Sequence, residues 1–165
     1  MSTPRLLIAY DGSTNAKSAV ETAASLFPGA EAVLLYARQP MESFAAHLQG
    51  HPDFENLQGL AAADLDASEL VASEGAELAR AHGLKAEPLV SSTVSTASEA
   101  IIEAAEELDI TLIVLGSRGL RGLKATLLGS TSANVLHQAT RPTLVIPSDA
   151  VARARYESRA TGDHA

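Results

Sequence analysis

The residues best suited to chemistry lie in one stretch, Gly116-Ser-Arg-Gly119 through Gly129-Ser130, which reads Gly-x2-Gly-x9-Gly-Ser. Glycine takes φ > 0 without penalty and lets the backbone approach a ligand closely. The stretch follows the apolar run Thr111 to Leu115 and leads into a helix-like segment beginning near Ser130. A helix N-terminus presents unpaired N–H groups and the positive end of its dipole, so strand, glycine loop and helix start form an anion site. Arg118, Arg121 and Lys124 add positive charge within the loop. Ser130 stands where a helix N-cap and a phosphate contact coincide.

The charge map isolates the same stretch. The chain carries a net charge of −8, yet no acidic residue occurs between Asp109 and Asp149, where Arg118, Arg121, Lys124 and Arg141 fall. Two familiar phosphate loops are excluded. There is no Gly-Lys-Ser/Thr to make a Walker A loop, and no G-x-G-x-x-G follows the first strand. Gly116-Ser-Arg-Gly119 matches the G-x-x-G of KH domains, but the flanking elements and the acidic charge disagree with that reading.

Composition narrows the class further. A chain of 165 residues fits one domain that buries roughly two-thirds of its unfolded surface. No apolar run approaches the ~20 residues needed to cross a bilayer. The first residues lack a signal-peptide pattern, and the absence of cysteine fits a reducing compartment, so a cytoplasmic location is expected. With no Trp, few aromatics and an acidic balance, nucleic acid is not an expected partner.

The elements that must position the loop alternate. Arg5 to Tyr10 reads as a buried strand, with Asp11-Gly12-Ser13 as turn and N-cap. Ala16, Ala19, Val20, Ala23, Ala24 and Phe27 then share one helix face until Pro28-Gly29. Ala32 to Ala37 is a second strand. Residues 38–63 contain Pro40, Gly50, Pro52 and Gly59 and are expected to form a long connection or lid. A helix is predicted from near Asp64, carrying Ala67, Val71, Leu78 and Ala79. Glu87 to Val90 is a weaker strand, and Thr96-x-x-Glu99 has the form of a capping box. It opens a helix faced by Ala97, Ile101, Ala104, Ala105 and Leu108. Strand 4 is Thr111 to Leu115, a helix spans Ser130 to Gln138, and Thr143 to Ile146 is strand 5. The remainder, 148–165, is expected to be a flexible tail, frayed or helical.

Such alternation predicts an α/β fold: a doubly wound, five-stranded parallel sheet of order 3-2-1-4-5 with helices on both faces. Ligands bind such sheets where the strand order reverses, outside the carboxyl ends. That places Asp11, ending strand 1, beside Gly116, ending strand 4. His47 and His51 have helical metal spacing, but Gly50 and Pro52 break any helix there, so no metal-binding pair is expected. No catalytic triad or carboxylate pair stands out. Glu103, Glu106 and Glu107 read as a solvated helix face.

Taken together, Asp11-Gly-Ser13, the extended second connection, Gly116-x2-Gly119-x9-Gly129-Ser130 and Arg141-Pro-Thr-Leu-Val-Ile-Pro147 resemble the universal stress protein family across residues 5–147. The resemblance implies an adenine nucleotide alpha-hydrolase-like domain of the ATP-binding branch, holding ATP with Mg²⁺. It implies that Gly116, Gly119 and Gly129 line ribose and phosphates, and that Ser130 and Thr131 bind phosphate oxygens. Asp11 would lie near the nucleoside or Mg²⁺, Ala37 would meet adenine through its backbone, and Leu115 would flank the base. Ala37 replaces a valine common in the family. A homodimer through strand 5 and a stress or signalling role are also implied, with at most slow ATP hydrolysis. Two other readings stay open. An adenylate-forming enzyme of the same fold would carry an S-G-G-x-D-S loop, which Asp11-Gly-Ser-Thr-Asn15 lacks. A partner-binding module would keep the fold without the nucleotide.

Overall fold

Alternation of side chains along each strand sorts the core into two layers. Leu6, Ile8 and Tyr10 pack on one side of the sheet with Leu34 and Val114, while Leu7, Val33, Leu35, Ile113 and Leu115 pack on the other. A strand buried on both faces reads as an unbroken apolar run, as a parallel sheet requires. The computed structural model describes residues 3–38, 54–92, 96–118 and 128–161. Among them run β1 (Arg5–Ala9), α1 (Thr14–Leu26), β2 (Glu31–Arg38), α2 (Phe54–Ala81), β3 (Lys85–Ser92), α3 (Ala97–Glu107), β4 (Leu112–Gly116), α4 (Ser130–Gln138), β5 (Thr143–Ile146) and α5 (Asp149–Ala160).

All pairings are parallel and the order is β3-β2-β1-β4-β5, the arrangement expected from the sequence. α1 and α2 cover the layer holding Leu6 and Ile8; α3 and α4 cover the layer holding Leu7 and Leu115. The strand order reverses between β1 and β4, so α1 and α4 leave that point on opposite faces.

Local signals hold at the helix starts. Ser13 caps α1 by accepting from the Ala16 N–H at 3.1 Å. Thr96 and Glu99 form the reciprocal capping box of α3, satisfying two otherwise unpaired donors. Ser148 caps α5, whose Val151 is buried. Three expectations change. The helix expected near Asp64 starts at Phe54: an isolated Gly59 costs a helix only about 1 kcal/mol, too little to stop the Leu- and Ala-rich run around it. Residues 39–53, the rest of the expected lid and the site of His47 and His51, lie outside the described residues. β3 runs from Lys85 to Ser92, longer than its sequence suggests, because Pro88 is tolerated on an edge strand.

The third change concerns the face of α2. Ala67 is exposed, and the buried stripe is Ser68, Ala72, Gly75, Ala76 and Ala79. These small residues bring the helix axis close to the sheet. At Gly75 the approach is closest: a Cβ there would lie 2.7–3.0 Å from the ring of Tyr10. The Tyr10 hydroxyl donates to Glu74 Oε1 at 2.7 Å, and Lys17 Nζ stands 3.0 Å from the same oxygen. Burial, then the Glu74 hydrogen bond, push the Tyr10 phenol far above its usual range. The Tyr10 hydroxyl, then Lys17, hold the Glu74 carboxyl below its ordinary value.

Two predictions test this packing. Gly75→Ala gains about 1 kcal/mol of helix propensity, but overpacking against a buried ring costs about 1–3 kcal/mol, so its melting temperature should fall. Gly59→Ala, with nothing within 4 Å, should gain up to about 1 kcal/mol. Equal shifts in both variants would contradict the Tyr10 contact. For Tyr10→Phe, NMR should show the Glu74 pKa rising toward the ordinary value of about 4.3. The folded pKa of Glu74 is depressed, so its stabilisation is complete above about pH 4.3 and fades as pH falls through the folded value. The stability gap between wild type and Tyr10→Phe, about 1 kcal/mol at neutral pH, should narrow across that fall. A Glu74 titration unchanged by the substitution would count against the hydrogen bond.

Candidate functional site

Side-chain parity decides what faces the switch point. Leu112 and Val114 point toward α1, so Gly116 does too, while Leu115 turns into the opposite core layer. Across from Gly116 lies Asn15, in the first turn of α1 and only 6% exposed. Its Nδ2 donates to the carbonyl of Ile146 at 3.2 Å. Its Oδ1 accepts from the Arg118 N–H at 2.9 Å and from Ser117 Oγ at 3.4 Å. One carboxamide therefore ties the start of α1 to the ends of β4 and β5.

Ser117 is the second tie. Its N–H donates to the Ile146 carbonyl at 2.8 Å, and its hydroxyl accepts from the Ser148 N–H at 3.1 Å. Its carbonyl accepts from the Gly129 N–H at 2.8 Å, which brings the two ends of the glycine stretch together. Ser132 Oγ reaches the carbonyls of Gly116 and Ser117, each at 3.3 Å. A Cβ on Gly129 would lie 3.0 Å from the Ser117 carbonyl oxygen, so close backbone approach explains this glycine.

The residues singled out from sequence fall in three groups. Gly116, Gly129, Ser130 and Thr131 meet at the mouth of the crevice. Asp11 lies in the turn between β1 and α1, its Oδ1 accepting from the Ser13 N–H at 3.0 Å. Ala37 lies near the carboxyl end of β2, paired in register with Ser91. Leu115 is 3% exposed within the core, and Gly119 lies outside the described residues with Arg121 and Lys124. Ser130 is the first helical residue; the N-cap is Gly129, which supplies no side-chain cap. The N-cap residue therefore satisfies none of the first-turn N–H groups of α4, the unpaired donors that every helix start carries. Arg141 is not part of this corner. It pairs with Asp109 at 3.1 Å, before the first residues of β5 and β4, at the other end of the sheet.

Three contributors escaped the sequence reading. Asn15 and Ser117 gave no local signal, because their partners lie about a hundred positions away. Arg38, at the carboxyl end of β2, is buried and pairs with Asp64 at 2.9 Å; it fell where the strand seemed already finished. Arg118 is more telling. Among the described residues its Nε and Nη2 are buried without a hydrogen-bond partner, and buried polar groups in native proteins nearly always have one. Nε and Nη2 form one side of the guanidinium fork, the geometry that pairs with a phosphate, and the Arg118 backbone passes close to Gly129 at the start of α4.

Comparison with known proteins agrees with this architecture. The family model described as the universal stress protein family matches residues 3–147. A universal stress protein of Thermus aquaticus, encoded in the QAH/OAS sulfhydrylase 3′ region, is 32% identical over 145 residues, covering 86% of this chain and 96% of that protein. Protein MJ0577 of Methanocaldococcus jannaschii superposes with a TM-score of 0.67 at 22% identity, covering 90% of this chain and 99% of that one. The Archaeoglobus fulgidus universal stress protein, solved in complex with dAMP, gives a TM-score of 0.57 at 20% identity, covering 88% and 98%. With its 3-2-1-4-5 sheet of the adenine nucleotide alpha-hydrolase-like type, this chain belongs to the universal stress protein family.

Proposed function

We propose that this protein binds ATP with Mg²⁺ in the crevice between the carboxyl ends of β1 and β4, as a nucleotide-dependent regulator of the stress or signalling type. The observation that carries the reading is Arg118: two buried guanidinium nitrogens lack a partner, and an anion would supply one. The uncapped start of α4 adds backbone donors and a favourable dipole at the same corner. The dAMP held by the Archaeoglobus fulgidus relative supports an adenine nucleotide as the class of ligand.

In this reading Ser130 and Thr131 present the α4 N–H groups and hydroxyls to phosphate, with Gly129 at the helix start; Gly116 and Gly119 belong to the same glycine motif. Ala37 borders the adenine through its backbone. Leu115 contributes to the floor from within the core. Among the described residues no group of three or more His, Cys, Asp or Glu side chains forms a metal cage. Asp11 would be the protein carboxylate for Mg²⁺, which favours one or two carboxylates together with substrate phosphates. β5 lies at the edge of the sheet, which leaves one side of its backbone for pairing with a second copy in a homodimer.

Arg118→Met separates ligand binding from folding. Removing unpartnered buried donors should leave the nucleotide-free protein as stable as wild type or raise its stability by about 1 kcal/mol. ATP affinity should fall roughly tenfold or more, the worth of a charge-assisted hydrogen bond. Calorimetry and thermal melting of the same preparations provide both numbers. Wild-type ATP affinity in Arg118→Met would refute the assignment.

A further inference from the structure

We infer that Asn15 is the positioning residue of this site, and that Gly116 lacks a side chain in order to admit Asn15 rather than the ligand. A Cβ on Gly116 would lie 2.7 Å from both Cγ and Oδ1 of Asn15 and 3.1 Å from its Nδ2. Real Cβ atoms essentially never come this close, so one partner would have to move. Asn15 has nowhere to go. It is 6% exposed and held by hydrogen bonds to Ile146, Ser117 and Arg118.

The consequence reaches the crevice through Arg118. Its backbone N–H is fixed by Asn15 Oδ1 at 2.9 Å, which sets where the chain leaves β4 and where the side chain carrying Nε and Nη2 starts. Ser117, held by the same oxygen, carries the carbonyl that accepts from Gly129 and so places the start of α4. An asparagine suits this junction because one side chain must donate to a carbonyl and accept from an N–H at once. Alanine or leucine could do neither, and aspartate could not donate while ionised. Gly116 and Asn15 thus form one steric unit, although 101 positions separate them (116 − 15).

The effect on affinity rests on the nucleotide reading above; the effect on geometry does not. Thermal melting of wild type, Asn15→Ala, Gly116→Ala and the double variant forms a cycle that isolates the pair. Gly116→Ala in the wild-type background should lower the melting temperature by roughly 5 °C. In the Asn15→Ala background the same change should have little effect, because the group it strikes is gone. Equal effects in both backgrounds would overturn the steric unit.

The positioning role is read from Mg-ATP and adenosine titrations of Asn15→Ala at a temperature where it is fully folded. ATP affinity should fall roughly tenfold and adenosine affinity much less, because the loss acts on the phosphate corner. Unchanged ATP affinity in the folded variant would overturn the role. Should wild type itself fail to bind ATP, the nucleotide reading falls on its own. Amide exchange at Arg118 in the free protein then decides: faster exchange in Asn15→Ala supports positioning, and unchanged exchange contradicts it.

Discussion

A single buried carboxamide holds together the corner on which this protein depends. Asn15 ties three segments that meet only in the folded state: the start of α1, the exit of β4 and the exit of β5. Burying an amide is unfavourable unless its donor and acceptor are both used, and here both are. The close approach needs Gly116, whose position facing α1 follows from strand parity. Register, core packing and crevice geometry are thereby linked, since shifting β4 by one residue would point a different side chain at Asn15.

The corner joins two kinds of order. Within the sheet, apolar side chains are sorted into two layers by alternation alone, with no polar contact needed. Where the strands end, the backbone has unpaired donors and acceptors, and polar side chains take over. Asn15, Ser117 and Ser132 satisfy most of them internally. What is left over is informative: the Arg118 fork and the first turn of α4. Both groups are donors, the polarity that the proposed anion requires.

Much of this was legible in the amino-acid order. The strand and helix alternation, the sheet order and the caps at Ser13 and Thr96 follow from periodicity, turn chemistry and the crossover rule. The roles of individual residues were less legible. Gly116 and Gly129 read as phosphate-lining glycines; that a Cβ on them would strike Asn15 or the Ser117 carbonyl oxygen had no sign in the sequence. Arg141 counted toward the cationic stretch by sequence proximity, but the strand carries it to the far end of the sheet, where it meets Asp109. Contacts between residues a hundred positions apart leave no periodic trace, so these roles became visible only with the fold.

The functional reading of this corner depends on its holding a nucleotide. Calorimetric titration of the wild-type protein with Mg-ATP is the direct measurement. Saturable binding of one nucleotide per chain, weakened by added salt as charge-assisted contacts should be, is the predicted result. Absence of binding at millimolar Mg-ATP would contradict the account.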